Sequence, residues 1–251
     1  MSTGRFAWHD LQTTDPAAAR DFYSALLGWT YSPVPEAGDY QMINASGMPI
    51  GGIGSHEAPT PAVWLSYMTT DDIEATGNAV TAAGGSLDAG PYDMQGTGRM
   101  SYLRDPEGIA FALFQGTGQW SDHAMPFSGA PSGVPSWHEL VSGDVEKACS
   151  WYGQIFGWGH TIWNMGEFQY HGLLIGEAPV AGAYQAETGG TPKSWVIYFE
   201  APGTIDEAIA SVPDLGGQVV MGRSDVPGTG SFALFSDLTG ALFGLLDSEA
   251  M

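Results

Sequence analysis

The hydrophobic and polar positions of the chain alternate between the two-residue period of strands and the three- and four-residue steps of helices. Residues 5–14 read as a strand, and Asp15-Pro16 then provides an N-cap and a proline at the first helical position. The helix that follows ends at Gly28, and its apolar residues recur with helical spacing at Ala18, Phe22, Ala25 and Leu26. This spacing predicts a helix with one buried face.

Short strands separated by Pro and Gly turns follow this helix. We predict them at residues 29–34, 40–44 and 50–55. The same order then returns, with a strand at 63–69, a helix at 72–83 that stops at Gly84-Gly85, and strands near 86–90, 99–104 and 109–115. The pattern predicts repeated β-α-β-β-β units.

The second half of the chain repeats the first. Trp8-His9-Asp10-Leu11 returns 129 positions later as Trp137-His138-Glu139-Leu140, and Phe22-Tyr23 with Gly28-Trp29 returns as Trp151-Tyr152 with Gly157-Trp158. A period above about one hundred residues indicates duplicated domains rather than a solenoid. We therefore predict an α+β fold with domains at 1–119 and 135–251, a linker at 120–134, and four units at 5–55, 62–116, 135–185 and 194–246.

Charge is the most unusual property of the composition. The 28 acidic residues outnumber 7 basic ones, for a formal net charge of -21, which disfavours binding to nucleic acid or to an anionic membrane surface. No apolar run approaches the roughly 18 residues of a membrane span, and no secretory signal is visible. The single cysteine, Cys149, cannot form an internal disulfide, and we interpret it as an inert helix thiol. A cytoplasmic protein is expected.

The helix and turn motifs resemble those of the vicinal oxygen chelate superfamily, the group of glyoxalases, bleomycin-resistance proteins and dioxygenases. The resemblance rests on the Phe-Tyr-x-x-Leu-x-Gly-Trp helix after Asp15 and on the Asp105-Pro106-x-Gly108 turn, and it extends over essentially the whole chain. It implies that pairs of β-α-β-β-β units form curved mixed sheets around concave pockets. The chain is most similar to the two-domain branch labelled glyoxalase-like or hydroxylase.

The resemblance also implies positions for a divalent metal, which family enzymes hold with His, Gln or Glu from the first and last strands. At those positions this sequence has Trp8, Trp137, Leu65 or Trp64, Val196 or Trp195, Ala112 and Gly244. None of these side chains is a ligand for a hard or borderline cation. We therefore expect no metal at these positions and no cofactor, with a divalent metal recruited by other residues as the alternative.

The acids beside the two tryptophans are the candidate catalytic residues. Because side chains alternate along a strand, Trp8 and Asp10 should share the concave face while His9 turns toward the helix. A one-residue bulge would reverse the two faces. Asp10 and Glu139 could act as general acid or base, orient a ligand or have a structural role.

Aromatic side chains are the positive signal for ligand binding, since rings stack on planar or apolar molecules. The alternative is that many of them are simply core. The candidate ligand-binding residues are Trp8, Trp29, Tyr40, Trp137, Trp158, Trp163, Tyr170 and His171. The second half is favoured, because His160, Trp163, Tyr170 and His171 have no close polar counterparts in the first half.

These features favour a small-molecule-binding protein that holds an aromatic or apolar metabolite. The alternative is a lyase, isomerase or oxygenase that uses Asp10 or Glu139, with or without a recruited metal. A structural or regulatory protein with vestigial pockets is the third possibility. A monomer is favoured over a homodimer, because the duplication already supplies paired domains.

Overall fold

The computed structural model describes residues 3–35, 37–56, 62–94, 96–125, 129–165 and 168–248. Within these ranges the protein is α+β, with four α-helices and sixteen strands. The order β-α-β-β-β occurs four times along the chain. The predicted fold class is therefore confirmed.

The first half contains two of the four units. Its elements are β1 (Phe6–Thr13), α1 (Pro16–Leu27), β2 (Thr30–Pro33), β3 (Gln41–Ala45), β4 (Met48–Ser55), β5 (Val63–Thr69), α2 (Ile73–Ala82), β6 (Ser86–Met94), β7 (Gly98–Arg104) and β8 (Ala110–Gly116). A short 3-10 turn, Gly118–Trp120, follows β8.

The second half repeats this order. Its elements are β9 (Pro135–Ser142), α3 (Val145–Phe156), β10 (Gly159–Met165), β11 (Phe168–Ile175), β12 (Ala178–Gln185), β13 (Ser194–Glu200), α4 (Ile205–Asp214), β14 (Gln218–Val226), β15 (Gly230–Ser236) and β16 (Leu242–Ser248).

Each half of the sequence forms one eight-stranded mixed sheet. The strand order is β2-β3-β4-β1-β5-β8-β7-β6 in the first sheet and β10-β11-β12-β9-β13-β16-β15-β14 in the second. The first strand of each half pairs in parallel with the fourth, so that Asp10 lies opposite Gly52 and Glu139 lies opposite Gly182. The duplication therefore extends to strand register.

Matching caps fix the helices that follow the first strands. The Asp15 carboxylate accepts a hydrogen bond from the Ala18 backbone N–H, and the Asp144 carboxylate accepts one from Lys147. At the other ends, Gly28 and Gly157 have φ of 69° and 71°, in the left-handed region that glycine adopts without strain. No helix in the described part of the chain is long and apolar enough to cross a membrane.

The α4 helix begins with a capping box. The Thr204 hydroxyl accepts from the Glu207 N–H, and the Glu207 carboxylate accepts from the Thr204 N–H at 2.8 Å. Thr204→Ala is expected to lower the free energy of unfolding by about 1 kcal/mol, because the Glu207 N–H at the start of the helix loses its hydroxyl acceptor. Urea unfolding measures this loss, and Thr204→Ser, which keeps the capping hydroxyl, is the control. Equal stability of Thr204→Ala and wild type would contradict the prediction.

The backbone packs as two compact units. Unit 1 comprises Met1–Trp8, Ser66–Met125 and His138–Trp195, and it contains α2 and α3. Unit 2 comprises His9–Leu65, Pro126–Trp137 and Val196–Met251, and it contains α1 and α4. Each sheet is therefore formed by one half of the sequence, whereas each compact unit contains elements from both halves.

A buried hydrogen-bond chain joins the family-like motifs inside unit 1. The Trp195 indole N–H donates to the Tyr152 hydroxyl at 2.9 Å, and that hydroxyl donates to the Asp105 carboxylate at 3.2 Å. Asp105 also accepts the backbone N–H groups of Glu107 and Ile109, which closes the Asp-Pro-x-Gly turn. Burial raises the pKa of Tyr152 well above its usual value, so its hydroxyl keeps its proton and donates.

Unit 2 contains the matching chain. Trp64 donates to the Tyr23 hydroxyl at 2.9 Å, and Tyr23 donates to Asp237 at 3.1 Å. Burial likewise raises the pKa of Tyr23 well above its usual value. The Phe/Trp-Tyr motif of each helix therefore has a structural role, which is to connect that helix to a closing turn.

Candidate functional site

A carboxylate and a tyrosine meet on the face of the first sheet that carries Asp10. The Tyr40 hydroxyl donates to Asp10 Oδ1 at 2.7 Å, and Asp10 is 8% exposed. The tyrosine ring lies over Gly52, where an added Cβ would be 1.8 Å from the Tyr40 oxygen. Only glycine leaves room for this pair.

The second sheet repeats the arrangement with a longer acid. The Tyr170 hydroxyl donates to Glu139 Oε1 at 2.6 Å, and Glu139 is 7% exposed. A Cβ at Gly182 would again lie 1.8 Å from the tyrosine oxygen. We call the face of each sheet that carries its acid the acid face, and we call Asp10–Tyr40 and Glu139–Tyr170 the acid–tyrosine pairs.

The histidines beside these acids lie on the opposite side of their strands. His9 is fully buried, with Nδ1 3.3 Å from the Ile50 carbonyl oxygen. His138 is buried and stacks on Phe6, with ring centroids 3.6 Å apart. The strands therefore alternate without a bulge that would bring the histidines to the acid face.

Several of the candidate aromatic residues are partly exposed. Trp163 stacks on Tyr170, with centroids 6.0 Å apart and an interplanar angle of 22°. Trp8 and Trp137 are also partly exposed, and Trp8 meets Trp120 edge to face at 6.0 Å. Within unit 1, the pair Glu139–Tyr170 thus has an aromatic neighbour that solvent reaches.

Tyr184 is a further tyrosine near Glu139 that the sequence analysis did not select. Burial raises the pKa of Tyr184 to about 12, and the negative charge of Glu139 adds to the rise. At neutral pH the Tyr184 hydroxyl is therefore protonated. It lies on β12, two residues after Gly182, and strand alternation alone could have identified it.

Trp29 and Trp158 require a correction, since both lie in the core rather than at a ligand surface. Trp29 is 2% exposed, stacks on Tyr23 and donates its indole N–H to the Gly133 carbonyl. Trp158 is 5% exposed, stacks on Tyr152 and donates to the Gly4 carbonyl. Both rings are buried among core side chains, so the predicted ligand contact is wrong for these two residues.

His171 also differs from its predicted place beside Tyr170. As the next residue of β11 it points to the other face of the sheet, where Cys149 of α3 and His160 of β10 lie. The His160 Nε2 and His171 Nδ1 atoms are 2.8 Å apart, and one ligand atom from each of the three residues lies within 4.8 Å of the others. We call Cys149, His160 and His171 the thiol–imidazole cluster.

Burial determines the protonation of this cluster in the metal-free chain. Burial raises the pKa of the Cys149 thiol to about 12. Burial lowers the pKa of His171, and the neighbouring His160 lowers it further. The cluster therefore consists of a neutral thiol and a neutral His171 imidazole near pH 7.

The expected absence of any metal site is not supported, because the thiol–imidazole cluster provides three donors. The positions implied by the family resemblance are a separate matter. Gly244 carries no donor, and the Tyr198 ring fills the space beside it, since an added Cβ would lie 2.2 Å from Tyr198 Cδ1. Ala112, its counterpart, is fully buried. The residues at these positions do not fit a divalent metal.

The fold and the repeated site define the class of the protein. Four β-α-β-β-β units in two mixed sheets, each with an acid on its first strand, are the architecture of a duplicated glyoxalase-like chain. The Glyoxalase/Bleomycin resistance protein/Dioxygenase superfamily matches residues 5–113 and 132–245. The chain belongs to this superfamily, as the sequence motifs predicted.

Relatives and solved structures agree with this assignment. CFP32 of Mycobacterium tuberculosis, provisionally named a glyoxylase, is 34% identical over 95% of this chain and 93% of its own length. The anthracycline biosynthesis protein DnrV of Streptomyces peucetius is 31% identical over 98% of this chain and 94% of its own.

Two solved structures have a fold similar to that of this chain. The Mn(II)-bound glyoxalase from Novosphingobium aromaticivorans aligns with a TM-score of 0.67 at 15% identity, over 98% of this chain and 82% of that one. The 2,3-dioxygenase LapB from Pseudomonas sp. KL28 aligns with a TM-score of 0.65 at 13% identity, over 100% and 94%. At these identities the likeness establishes the fold.

Proposed function

We propose that this chain binds a small aromatic or apolar molecule at its acid faces, with each acid–tyrosine pair as the polar anchor. One observation carries the proposal: an acid, a tyrosine and a glycine occur at matching positions of both sheets, with hydrogen bonds of 2.7 and 2.6 Å. Burying a carboxylate is costly. Its presence in both halves, once as Asp and once as Glu, favours a role at the surface it faces.

The surroundings of the pairs support an aromatic ligand. Ligand pockets combine apolar and aromatic walls with a few placed polar groups. Glu139 and Tyr170 provide the polar part in unit 1, and the partly exposed Trp163 ring provides a flat wall beside them. The name of the anthracycline biosynthesis relative supports a fused planar ligand.

A catalytic role for the acids is the second candidate function. A carboxylate held 2.6 Å from a tyrosine hydroxyl is placed to exchange a proton with a bound molecule, as a lyase or isomerase requires. In an oxygenase the same pair would orient the substrate. The proposed binding function does not depend on turnover, and the two are separated by whether the bound molecule is recovered unchanged.

Binding of a hydroxylated anthraquinone, measured by isothermal titration calorimetry, tests the proposal. We expect Tyr170→Phe to weaken binding by roughly 10–150-fold, because the anchor loses a charge-assisted hydrogen bond worth about 1.5–3 kcal/mol. Tyr40→Phe makes the same change in the first sheet and reports on that sheet. The control is Tyr92→Phe, since the Tyr92 ring is 49% exposed. Wild-type affinity in both Tyr170→Phe and Tyr40→Phe would contradict the anchor.

Recovery of the probe identifies which function is present. Unchanged anthraquinone after prolonged incubation supports binding alone, and loss of the probe in wild type but not in Glu139→Gln supports catalysis. We expect the chain to act as a monomer, which light scattering at the concentration of the titration checks. Failure of a set of fused-ring probes to bind would refute the aromatic ligand class.

A further inference from the structure

We propose that Cys149, His160 and His171 form a binding site for a divalent transition metal of the zinc class. The thiol–imidazole cluster lies on the helix side of the second sheet, away from the acid face. The proposal is independent of the small-molecule function, since it concerns different residues on the opposite face.

Three neighbouring elements bring the donors together. Cys149 lies in α3, and the antiparallel pairing of β10 with β11 sets His160 opposite Leu173 and His171 opposite Ile162. The two imidazole rings are nearly coplanar, with an interplanar angle of 5° and centroids 5.0 Å apart. Their facing nitrogens are 2.8 Å apart, at hydrogen-bond distance, so the two ring edges point to the same space.

The separations are close to those that a tetrahedral ion requires. Zn–N bonds of about 2.0–2.1 Å and Zn–S bonds of about 2.3 Å place ligand atoms roughly 3.3–3.6 Å apart. The imidazole nitrogens would separate by about half an ångström from 2.8 Å, and the widest pair would close by about an ångström from 4.8 Å. Rotations about the side-chain torsions of the three residues would supply shifts of this size.

The donor set selects the class of metal. One thiolate and two imidazoles favour zinc, cobalt or copper over magnesium and calcium, which require oxygen ligands. The Cys149 proton leaves to solvent when the thiolate binds the cation, as at other cysteine metal sites.

A depression of about 510 Å³ borders His171, one of the three donors. It is lined by Asp144, Val145, Glu146, Gln169, His171, Gln185 and Glu187. Three protein ligands with an open fourth position are the arrangement of catalytic zinc sites, whereas structural sites are closed by four protein ligands. The acidic lining attracts a cation to this opening.

The first half of the chain provides an internal comparison. The repeat and the matched strand pairing identify the equivalent positions. In the first half these are Arg20, Tyr31 and Gln41, which correspond to Cys149, His160 and His171. The Tyr31 hydroxyl donates to the Arg20 carbonyl at 3.3 Å, so these positions are also neighbours in the first half. The scaffold is shared, but the three metal-binding side chains are present together only at the second copy of these positions.

Cobalt titration of the purified full-length protein tests the site. We expect one equivalent of Co²⁺ to bind with a thiolate-to-cobalt absorption band in the near ultraviolet and with the visible bands of tetrahedral cobalt, and Zn²⁺ to displace it. Cys149→Ala should abolish the thiolate band. His160→Gln should weaken binding by more than the roughly 10–100-fold that loss of an outer-shell partner costs. Because His160 is exposed, this variant should fold normally.

The control is His56→Gln, which makes the same exchange at a histidine outside the cluster, and it should bind cobalt as wild type does. Absence of the thiolate band in wild type would overturn the proposal. Equal cobalt affinity of His160→Gln and wild type would also overturn it. Far-ultraviolet circular dichroism confirms that each variant is folded before it is titrated.

Discussion

Tyr152→Phe is expected to lower the free energy of unfolding by about 2–6 kcal/mol. Loss of the hydroxyl leaves the buried Trp195 N–H without its acceptor and Asp105 without its side-chain donor, and each unsatisfied buried group costs about 1–3 kcal/mol. Urea unfolding followed by tryptophan fluorescence measures the loss. The ring itself remains, so core packing changes little.

Two further variants make this result specific. Tyr23→Phe removes the matching hydroxyl between Trp64 and Asp237, and a loss of similar size is expected. Tyr92→Phe removes an exposed hydroxyl and should change stability by less than about 0.5 kcal/mol. If Tyr152→Phe were no more destabilised than Tyr92→Phe, the buried chain would not have the structural role assigned to it.

Gly182→Ala should lower the free energy of unfolding by about 2.5–6 kcal/mol and weaken binding at the second acid face. The new Cβ would lie 1.8 Å from the Tyr170 oxygen and 2.2 Å from Cζ, so the ring must leave Glu139. Overpacking costs about 1–3 kcal/mol and a lost hydrogen bond to a charged group about 1.5–3 kcal/mol. Urea unfolding and the anthraquinone titration measure the two effects.

Gly159→Ala is the matched control, because a Cβ there would meet Leu174 at an ordinary 3.6 Å. The same alanine substitution in the same sheet should therefore cost much less. A double variant makes the test more specific. Tyr170→Ser removes the ring, and in that background Gly182→Ala should change the free energy of unfolding very little. A large cost that persists without the ring would show that Gly182 is required for another reason.

The sequence contained enough information to predict the elements and their order. Proline and aspartate at the helix starts and glycine at their ends predicted helices to within a few residues, as for the predicted 72–83 and the observed Ile73–Ala82. Strand alternation correctly separated Asp10 from His9. These features are local, so they can be predicted from a short window of sequence.

The pairing of elements from both halves could not be predicted in this way. Equivalent helices carry similar apolar faces, and nothing in one helix specifies which copy of the repeat it will pack with. The same limitation explains the errors for Trp29 and Trp158, whose rings serve the core. The local pattern shows an aromatic residue after the helix-ending glycine but not what surrounds it.

The thiol–imidazole cluster was missed for a different reason. Cys149, His160 and His171 are spaced eleven residues apart on a helix and two strands, and short-range metal motifs do not cover that spacing. The antiparallel register of β10 and β11 was the missing information. Given that register, the two histidines could have been placed on one face, beneath the helix that carries the cysteine.

The mixed composition of the compact units bears on how such a chain evolves. Within unit 1, α2 contacts α3, and within unit 2, α1 contacts α4, so a single copy of the repeat would need a second polypeptide to complete either unit. In such a dimer one gene encodes both subunits, so every substitution occurs in both. When the two copies are joined in one chain, each copy can be substituted independently. A fused chain can therefore carry Arg20, Tyr31 and Gln41 in one copy and a cysteine and two histidines at the equivalent positions of the other, which two identical chains cannot do.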